Sequence, residues 1–258
     1  MAGAIDLNCD CGESFGAWAM GDDAHVLPHV TSANIACGAH AGDPVVMRRT
    51  VQLAKQSGVS AGAHPGFPDL QGFGRRVLHL SPDEVYASVL AQIGALHAMA
   101  RAEGVALAHV KPHGALYNQA GAMPAIAAAI ASAVADFDKK LILVGLAGSA
   151  LIEAGMHAGL RVACEAFVDR AYEADGSLRP RQLPGAVIED VQRGLDQALD
   201  IALRGEVTTY EGTRLTLRAD TLSIHGDTRG AAARARQLRT GLEQAGVTVA
   251  PLTAWLAR

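Results

Sequence analysis

Polar residues occupy a single face of nearly every segment that reads as a buried strand. In the first such segment, apolar residues alternate with Asp6, Asn8 and Asp10. The same parity recurs later at Asn34 and His40, at Ser60 and His64, at His109, Lys111 and His113, at Glu165 and Asp169, and at Ser223, His225 and Asp227. Side chains alternate between the two faces of a strand, so each set shares one side. A buried polar group without a partner costs about 1–3 kcal/mol, so this collection is typical of an enzyme.

Seven strand-like segments alternate with helical segments along the chain. They lie near residues 4–10, 32–38, 59–63, 107–112, 141–146, 161–167 and 221–225. Asp43 before Pro44 predicts a helix start, and Ser81 with Glu84 predicts a capping box. Strands that alternate with helices predict a parallel sheet with right-handed crossovers.

The placement of polar residues on one face of each strand, which we call the polar parity, distinguishes a closed barrel from an open sheet. In an open doubly wound sheet both faces pack on helices, and the strands read as continuous apolar runs. Here six strands carry a polar stripe, which suits a barrel whose C-terminal mouth holds the active site. We therefore predict a single α/β domain over residues 1–258, a seven-stranded parallel (β/α) barrel. A Thr- and Val-rich stretch predicts a hairpin insertion near residues 206–219.

Composition excludes several classes of protein. The chain has 258 residues, is 50% hydrophobic and 19% charged, and carries a formal charge of -4. It lacks the clustered Lys and Arg that a nucleic-acid surface needs. No apolar run reaches the length of a membrane span, and we expect no secretory leader, because a charged segment followed by an apolar one is not seen before the first strand. The four cysteines lie at apolar positions, as small buried hydrophobes do. We expect a cytoplasmic protein without nucleic-acid or membrane partners.

Candidate site residues are the polar groups at the strand ends. Four histidines occupy equivalent strand ends, His40, His64, His113 and His225. Lys111 suits a phosphate or carboxylate anchor, an amine with a lowered pKa, or a structural partner of an interior carboxylate. His225 with Asp227 is typical either of a base and its orienting carboxylate or of two metal ligands. The residues alone do not separate these alternatives.

The chain resembles the LamB/YcsF family in six ordered motifs. These are LNCDCGESFG, SANIACGAHAGDP, GAHPGFPDLQGFGRR, VKPHGALYN, AFVDRAY and HGD, which together run from Asp6 to Asp227. The resemblance implies a distorted barrel related to the glycoside hydrolase and polysaccharide deacetylase barrels. It also implies one component of an ATP-dependent 5-oxoprolinase, which opens 5-oxo-L-proline to L-glutamate together with subunits B and C. The departures, Ala39 and Val168, change no polar position.

This resemblance suggests roles for the polar residues. Lys111 and Arg170 would hold carboxylate or phosphate, and His113, or His225 with Asp227, would be the general base for water. The predicted catalytic residues are Asp10, His40, His64, Lys111, His113, His225 and Asp227. The predicted substrate-binding residues are Asn8, Glu13, Asn34, Tyr117, Asp169 and Arg170.

Cofactor expectations follow from the motifs that are absent. The sequence has no Walker motif and no kinase glycine loop, so ATP with Mg²⁺ could be bound by the partner subunits. No tightly bound metal is predicted. Two alternative functions stay open: a metal-dependent hydrolase similar to the polysaccharide deacetylases, and a noncatalytic subunit that binds substrate for its partners.

Overall fold

The structure, a computed structural model, describes residues 4–224 and 230–256. Two predicted catalytic residues, His225 and Asp227, lie outside the described residues. The strands are β1 (Ala4–Cys11), β2 (Ser32–Ala36), β3 (Ser60–His64), β4 (Leu107–Val110), β5 (Ile142–Leu146), β6 (Arg161–Phe167), β7 (Glu206–Thr208), β8 (Arg214–Thr216), β9 (Thr221–Ile224) and β10 (Thr248–Val249).

Helices follow most of the strands. They are α1 (Asp23–Val26), α2 (Pro44–Gln56), α3 (Pro82–Ala102), α4 (Gly114–Ala122), α5 (Pro124–Asp138), α6 (Ala150–His157), α7 (Val191–Leu199), α8 (Ala231–Gln244) and α9 (Leu252–Trp255). The predicted caps are present: the Asp43 carboxylate accepts from the N–H of Val45 at 2.8 Å, and Ser81 and Glu84 form a capping box. Each cap satisfies backbone N–H groups that a helix start leaves without partners.

The parallel strands close into a barrel. Strands β1 to β6 pair in sequence order, and β9 pairs in parallel with both β6 and β1. The closed barrel therefore has seven strands, as the polar parity predicted. Short β10 pairs with the start of β1, and β7 and β8 form an antiparallel hairpin within residues 206–219.

The pairing register places the polar residues of the strands on the inner face of the barrel. Asp10 is level with Asn34, and Asn34 with Gly62 on the next strand. Thr221 is level with both Asp6 and Glu165. Residues level with one another in parallel strands point to the same side of the sheet. The alternate residues of the strands, such as Leu7 and Ile35, face outward and are buried in the main apolar core.

One sector of the barrel interior is apolar. Ile142 and Val144 of β5 and Ala163 of β6 point inward and pack with Leu252 of α9. The chain enters α9 just after β10, beside the start of β1. Helix α9 therefore fills the N-terminal end of the barrel, and the polar groups are left to the C-terminal end.

None of the helices in the described part of the chain is both long and apolar enough to cross a membrane on its own. Helices α4 and α5 reach that length and composition only as a pair, which is bent by 115°.

Candidate active site

A lysine ammonium lies inside the barrel among four oxygen atoms. Lys111 Nζ is 2.8 Å from Glu165 Oε1 and 3.0 Å from Asp10 Oδ1. It also donates to Asn8 Oδ1 and to Ser223 Oγ, each at 3.1 Å. The pairing with interior carboxylates is one of the alternatives that the sequence left open. The contacts of Lys111 thus link the end of β4 to β1, β6 and β9 across the lumen.

This group of charges sets the protonation states of its members. Burial alone would lower the pKa of Lys111, but the carboxylates of Asp10 and Glu165 outweigh burial and raise that pKa above its ordinary value. Burial opposes ionisation of Asp10, yet His64 and Lys111 bring its pKa well below the usual range. At neutral pH the site therefore holds an ammonium beside ionised Asp10.

Two asparagines connect this lysine to His109. Asn34 donates through Nδ2 to Asn8 Oδ1 at 2.7 Å and to Asp10 Oδ1 at 2.8 Å. Asn34 Oδ1 accepts from His109 Nε2 at 2.8 Å, and Asn8 Nδ2 donates to Glu165 Oε1 at 2.9 Å. Burial, assisted by the charge of Lys111, lowers the pKa of His109 to about 3. His109 is thus a neutral donor that orients Asn34.

Four buried residues from successive strand ends form what we call the histidine cluster, Glu13, His40, His64 and His113. His64 Nε2 lies 3.0 Å from His113 Nδ1 and 3.3 Å from Asp10 Oδ2. Glu13 Oε1 lies 3.4 Å from His113 Nδ1 and 3.5 Å from His40 Nε2. Burial lowers the pKa of His113 to about 3 and that of His40 well below its ordinary value, so both rings are neutral at pH 7.

The loop between β3 and α3 presses its backbone against the histidine cluster. A Cβ on Gly66 would lie 2.6 Å from His40 Nδ1, and one on Gly74 would lie 2.8 Å from the Cβ of His40. Phe73 adopts a φ of 54°, a left-handed conformation that is costly for a bulky residue, and its carbonyl accepts from His113 Nε2 at 2.8 Å. Gly66 and Gly74 therefore allow the loop backbone to lie against the histidine rings.

Two buried polar atoms beside the lysine have no hydrogen-bond partner within the described residues apart from the interaction between their own two side chains. They are Tyr117 Oη and Glu165 Oε2. Burial, with the neighbouring Glu165 carboxylate, raises the pKa of Tyr117 well above its ordinary value, so the phenol keeps its proton. A ligand that replaces the contact between the two side chains would meet one hydrogen-bond donor and one acceptor. Such buried polar atoms need a partner, which a bound ligand or water supplies.

The two remaining predicted residues follow β6. Asp169 is buried, and its backbone carbonyl accepts from the N–H of Ile188. Arg170 donates through Nε to the carbonyl of Ala186 at 3.2 Å and through Nη2 to that of Arg179 at 2.6 Å. Arg170 thus ties down the loop of residues 173–186. Whether it also holds an anion stays a prediction.

The structure brings the predicted residues on the first four strands into contact with one another. Asp10 joins the two halves of the site, because it contacts both Lys111 and His64. Sequence reasoning left Glu165 and His109 out of the site, although their parity is that of the site residues. Phe73 lies off the strands, and no pattern in the sequence points to it.

Comparisons with known proteins agree with this architecture. The sequence model of the LamB/YcsF family matches residues 5–257. A protein from Chloroflexus aggregans, named as the A subunit of 5-oxoprolinase, is 62% identical over 246 residues, which is 95% of this chain and 98% of that protein. The crystal structure of a lactam utilization protein from Thermus thermophilus superposes with a TM-score of 0.91 at 52% identity, over 96% of this chain and 99% of that one. A structure of T48 deacetylase with substrate, at 15% identity and a TM-score of 0.50, covers 97% of this chain and 88% of that one, and shares the fold alone.

Proposed function

The chain belongs to the LamB/YcsF family, and from this premise we propose that it acts as the A subunit of an ATP-dependent 5-oxoprolinase. The reaction is the hydrolytic opening of the lactam of 5-oxo-L-proline to L-glutamate. The observation that carries this proposal is the 62% identity, over nearly the whole of both chains, with a protein of that name. The Thermus neighbour, named for lactam utilization, supports the same substrate class.

The polar atoms in the barrel suit a cyclic amide. A lactam has one N–H donor and one carbonyl acceptor, held cis to each other by the ring. Glu165 Oε2 can accept from the N–H, and the protonated Tyr117 phenol can donate to the carbonyl. A site whose buried donor and acceptor need partners rejects compounds that lack those groups. We therefore propose that the lactam is recognised by Tyr117 and Glu165.

The histidine cluster suits general-base chemistry on water. His40 is neutral at pH 7 and neither of its ring nitrogens makes a hydrogen bond within the described residues, so it has a nitrogen able to accept a proton. The Lys111 ammonium, held in place by Asp10 and Glu165, supplies a positive charge that would stabilise a developing oxyanion. Asp10 and the two asparagines hold this arrangement rigid. His225 and Asp227, which lie outside the described residues, remain candidates for the same work.

ATP fits this chemistry because an unactivated lactam is a poor electrophile. Phosphorylation of its carbonyl oxygen by ATP makes the ring carbon a better electrophile. Water then adds to that carbon, the ring nitrogen takes up a proton and leaves as the amine, and a second water hydrolyses the resulting acyl phosphate to glutamate and phosphate. The sequence has no Walker motif or kinase glycine loop. We therefore place the binding of ATP with Mg²⁺ on the partner subunits B and C, and hydrolytic opening on this chain. A cytoplasmic assembly is consistent with the free thiols of all four cysteines.

Reconstitution tests the proposal. The purified chain is mixed with subunits B and C, 5-oxo-L-proline, ATP and Mg²⁺, and glutamate is measured while one component at a time is omitted. We expect turnover only from the complete mixture. Robust turnover by this chain alone would overturn the assignment of ATP use to the partners. Full turnover without this chain would overturn the proposed function.

The deacetylase-like alternative has one specific observation in its favour, the histidine cluster at the mouth of a barrel that shares its fold with T48 deacetylase. The same preparation should be assayed on N-acetylated chito-oligosaccharides for release of acetate. Acetate release at rates that exceed glutamate formation would favour this alternative.

A further inference from the structure

The hydrogen bonds of two histidines fix where their lone pairs point. His64 Nδ1 lies 2.7 Å from the backbone carbonyl of Lys111, and His113 Nε2 lies 2.8 Å from that of Phe73. A carbonyl oxygen only accepts, so both of these nitrogens carry hydrogen and donate. When each ring holds a single proton, His64 Nε2 and His113 Nδ1 are therefore the unprotonated nitrogens. These two atoms are 3.0 Å apart, with lone pair facing lone pair.

A cation between these nitrogens removes their repulsion. Glu13 Oε1 lies 3.4 Å from His113 Nδ1 and adds a carboxylate oxygen to the same point. Tetrahedral zinc, with bonds of about 2.0–2.2 Å, places its ligand atoms about 3.3–3.5 Å apart. The observed separations of 3.0 and 3.4 Å are close to that spacing. We propose that Glu13, His64 and His113 bind a divalent transition metal ion, of the zinc type, at the mouth of the barrel.

His40 is excluded from this ligand set by the orientation of its ring. The His40 and His113 rings are stacked, with centroids 3.8 Å apart and planes 1° from parallel. A metal lies near the plane of each imidazole that binds it, so one ion cannot lie in both of these planes. The His64 ring stands at 85° to that of His113, which allows a shared ion. His40 has no hydrogen bond at either nitrogen within the described residues, and its Nε2 lies 3.5 Å from Glu13 Oε1.

Glu13, His64 and His113 make three protein ligands, as in catalytic zinc sites with two histidines and a glutamate. Asp10 Oδ2, 3.3 Å from His64 Nε2, lies beside the fourth position, which it shares with water. A water in that position would have His40 as its hydrogen-bond acceptor. The two backbone carbonyls that accept from His64 and His113 fix the tautomers of the ligands, a role that such second partners have in metal sites. This proposal differs from the expectation, from the sequence alone, that no metal is tightly bound, and the metal content of the protein decides between them.

Metal content tests the proposal without reference to substrate or partner subunits. The chain, purified without chelator, is analysed by mass spectrometry, then stripped with EDTA and titrated with Zn²⁺ or with Co²⁺ as a visible probe. We expect about one ion per chain and tetrahedral Co²⁺ absorption bands. A folded chain that binds neither ion would overturn the proposal, and the two nitrogens would then share only a proton.

Four variants locate the ion. Glu13→Gln and His113→Gln should lose at least 90% of the bound metal. His40→Gln should keep the ion, and so should His157→Gln, an exposed histidine at the end of α6. Loss of the ion from His40→Gln would overturn the three-ligand arrangement, and retention in His113→Gln would overturn the site. If the ligand variants do not fold, the melting temperature of the parent chain is measured with Zn²⁺ and with EDTA. A melting temperature that Zn²⁺ raises and EDTA lowers would support the proposal. A melting temperature that is the same under both conditions would overturn it. The metal result stands apart from the reconstitution, so failure of one proposal is distinguishable from failure of the other.

Discussion

Lys111 Nζ and Glu165 Oε1 lie 2.8 Å apart across the barrel lumen, although their strands, β4 and β6, are not neighbours. Both side chains are at most 3% exposed. A buried ion pair of this kind is weak support for stability, because desolvation of both charges offsets their attraction. Its arrangement therefore points to a role in the site, and the two residues can be varied separately.

Lys111→Met should reduce turnover of the reconstituted complex by on the order of 100-fold, a loss of about 2.7 kcal/mol in transition-state stabilisation. It should also destabilise the chain by about 3–5 kcal/mol, because the carboxylates of Asp10 and Glu165 lose their buried partner. The double variant Lys111→Met/Glu165→Gln should recover part of the stability but none of the turnover. Urea unfolding and glutamate assays measure both. Normal turnover in the single variant would make the pair structural.

His109 should make the chain less stable in mild acid. Its pKa is about 3 in the folded chain, against an ordinary value of 6.5, so below pH 6.5 the unfolded chain binds the proton and the folded chain does not. Stability is then lost as pH falls from 6.5 towards 3. Between pH 7 and pH 5 this residue should account for about 2 kcal/mol.

His109→Gln isolates that contribution. Its amide nitrogen can take the place of Nε2 as donor to Asn34 Oδ1, and it does not titrate. Lys111, His64 and Asp10, whose charges act on His109, are the same in both proteins. The variant should therefore lose less stability between pH 7 and pH 5 than the parent. Equal losses in urea unfolding at the two pH values would contradict the prediction.

Gly74→Ala should disrupt the histidine cluster. Gly74 has a φ of 62°, and a Cβ there would lie 2.9 Å from His113 Cδ2 as well as against His40. Gly58→Ala is the matched control, since φ is 67° and no atom lies within 4 Å of the added Cβ. The control should lose only the backbone strain of about 1–2 kcal/mol and keep its turnover. Gly74→Ala should lose a further 1–3 kcal/mol or so, together with most of its turnover. Equal effects in thermal unfolding would rule out the contact with the histidines.

The polar parity makes its own prediction for a residue outside the described part of the chain. His225→Gln should reduce turnover by on the order of 100-fold without a large loss of stability. Cys9→Ser, at an outward position of β1, should instead lower the melting temperature by a few degrees and keep turnover per folded molecule. Turnover and melting temperature for both variants are the measurements. The opposite pattern would mean that the inward stripe is structural.

Much of the fold could be predicted because the strand period is strictly two. Asp6, Asn8 and Asp10 must share a face whatever their partners are, and a polar face on most strands leaves a closed barrel as the arrangement that buries the other face. The helix starts at Asp43 and Ser81 could be predicted for a similar reason, because a capping side chain accepts a hydrogen bond from backbone only two or three residues away.

Contacts within the site depended on distances that no local pattern contains. Glu165 has the parity of the site residues, but its pairing with Lys111 depends on the register of β4, β5 and β6 together. The lone pairs of His64 and His113 are directed by two backbone carbonyls, one of them held by the left-handed φ of Phe73. The sequence by itself determined which side chains enter the lumen, because alternation is a property of each strand. Only the tertiary structure decided which of them touch. Closure of the barrel, and the packing of the loop between β3 and α3 against the histidine cluster, bring distant residues within hydrogen-bonding range.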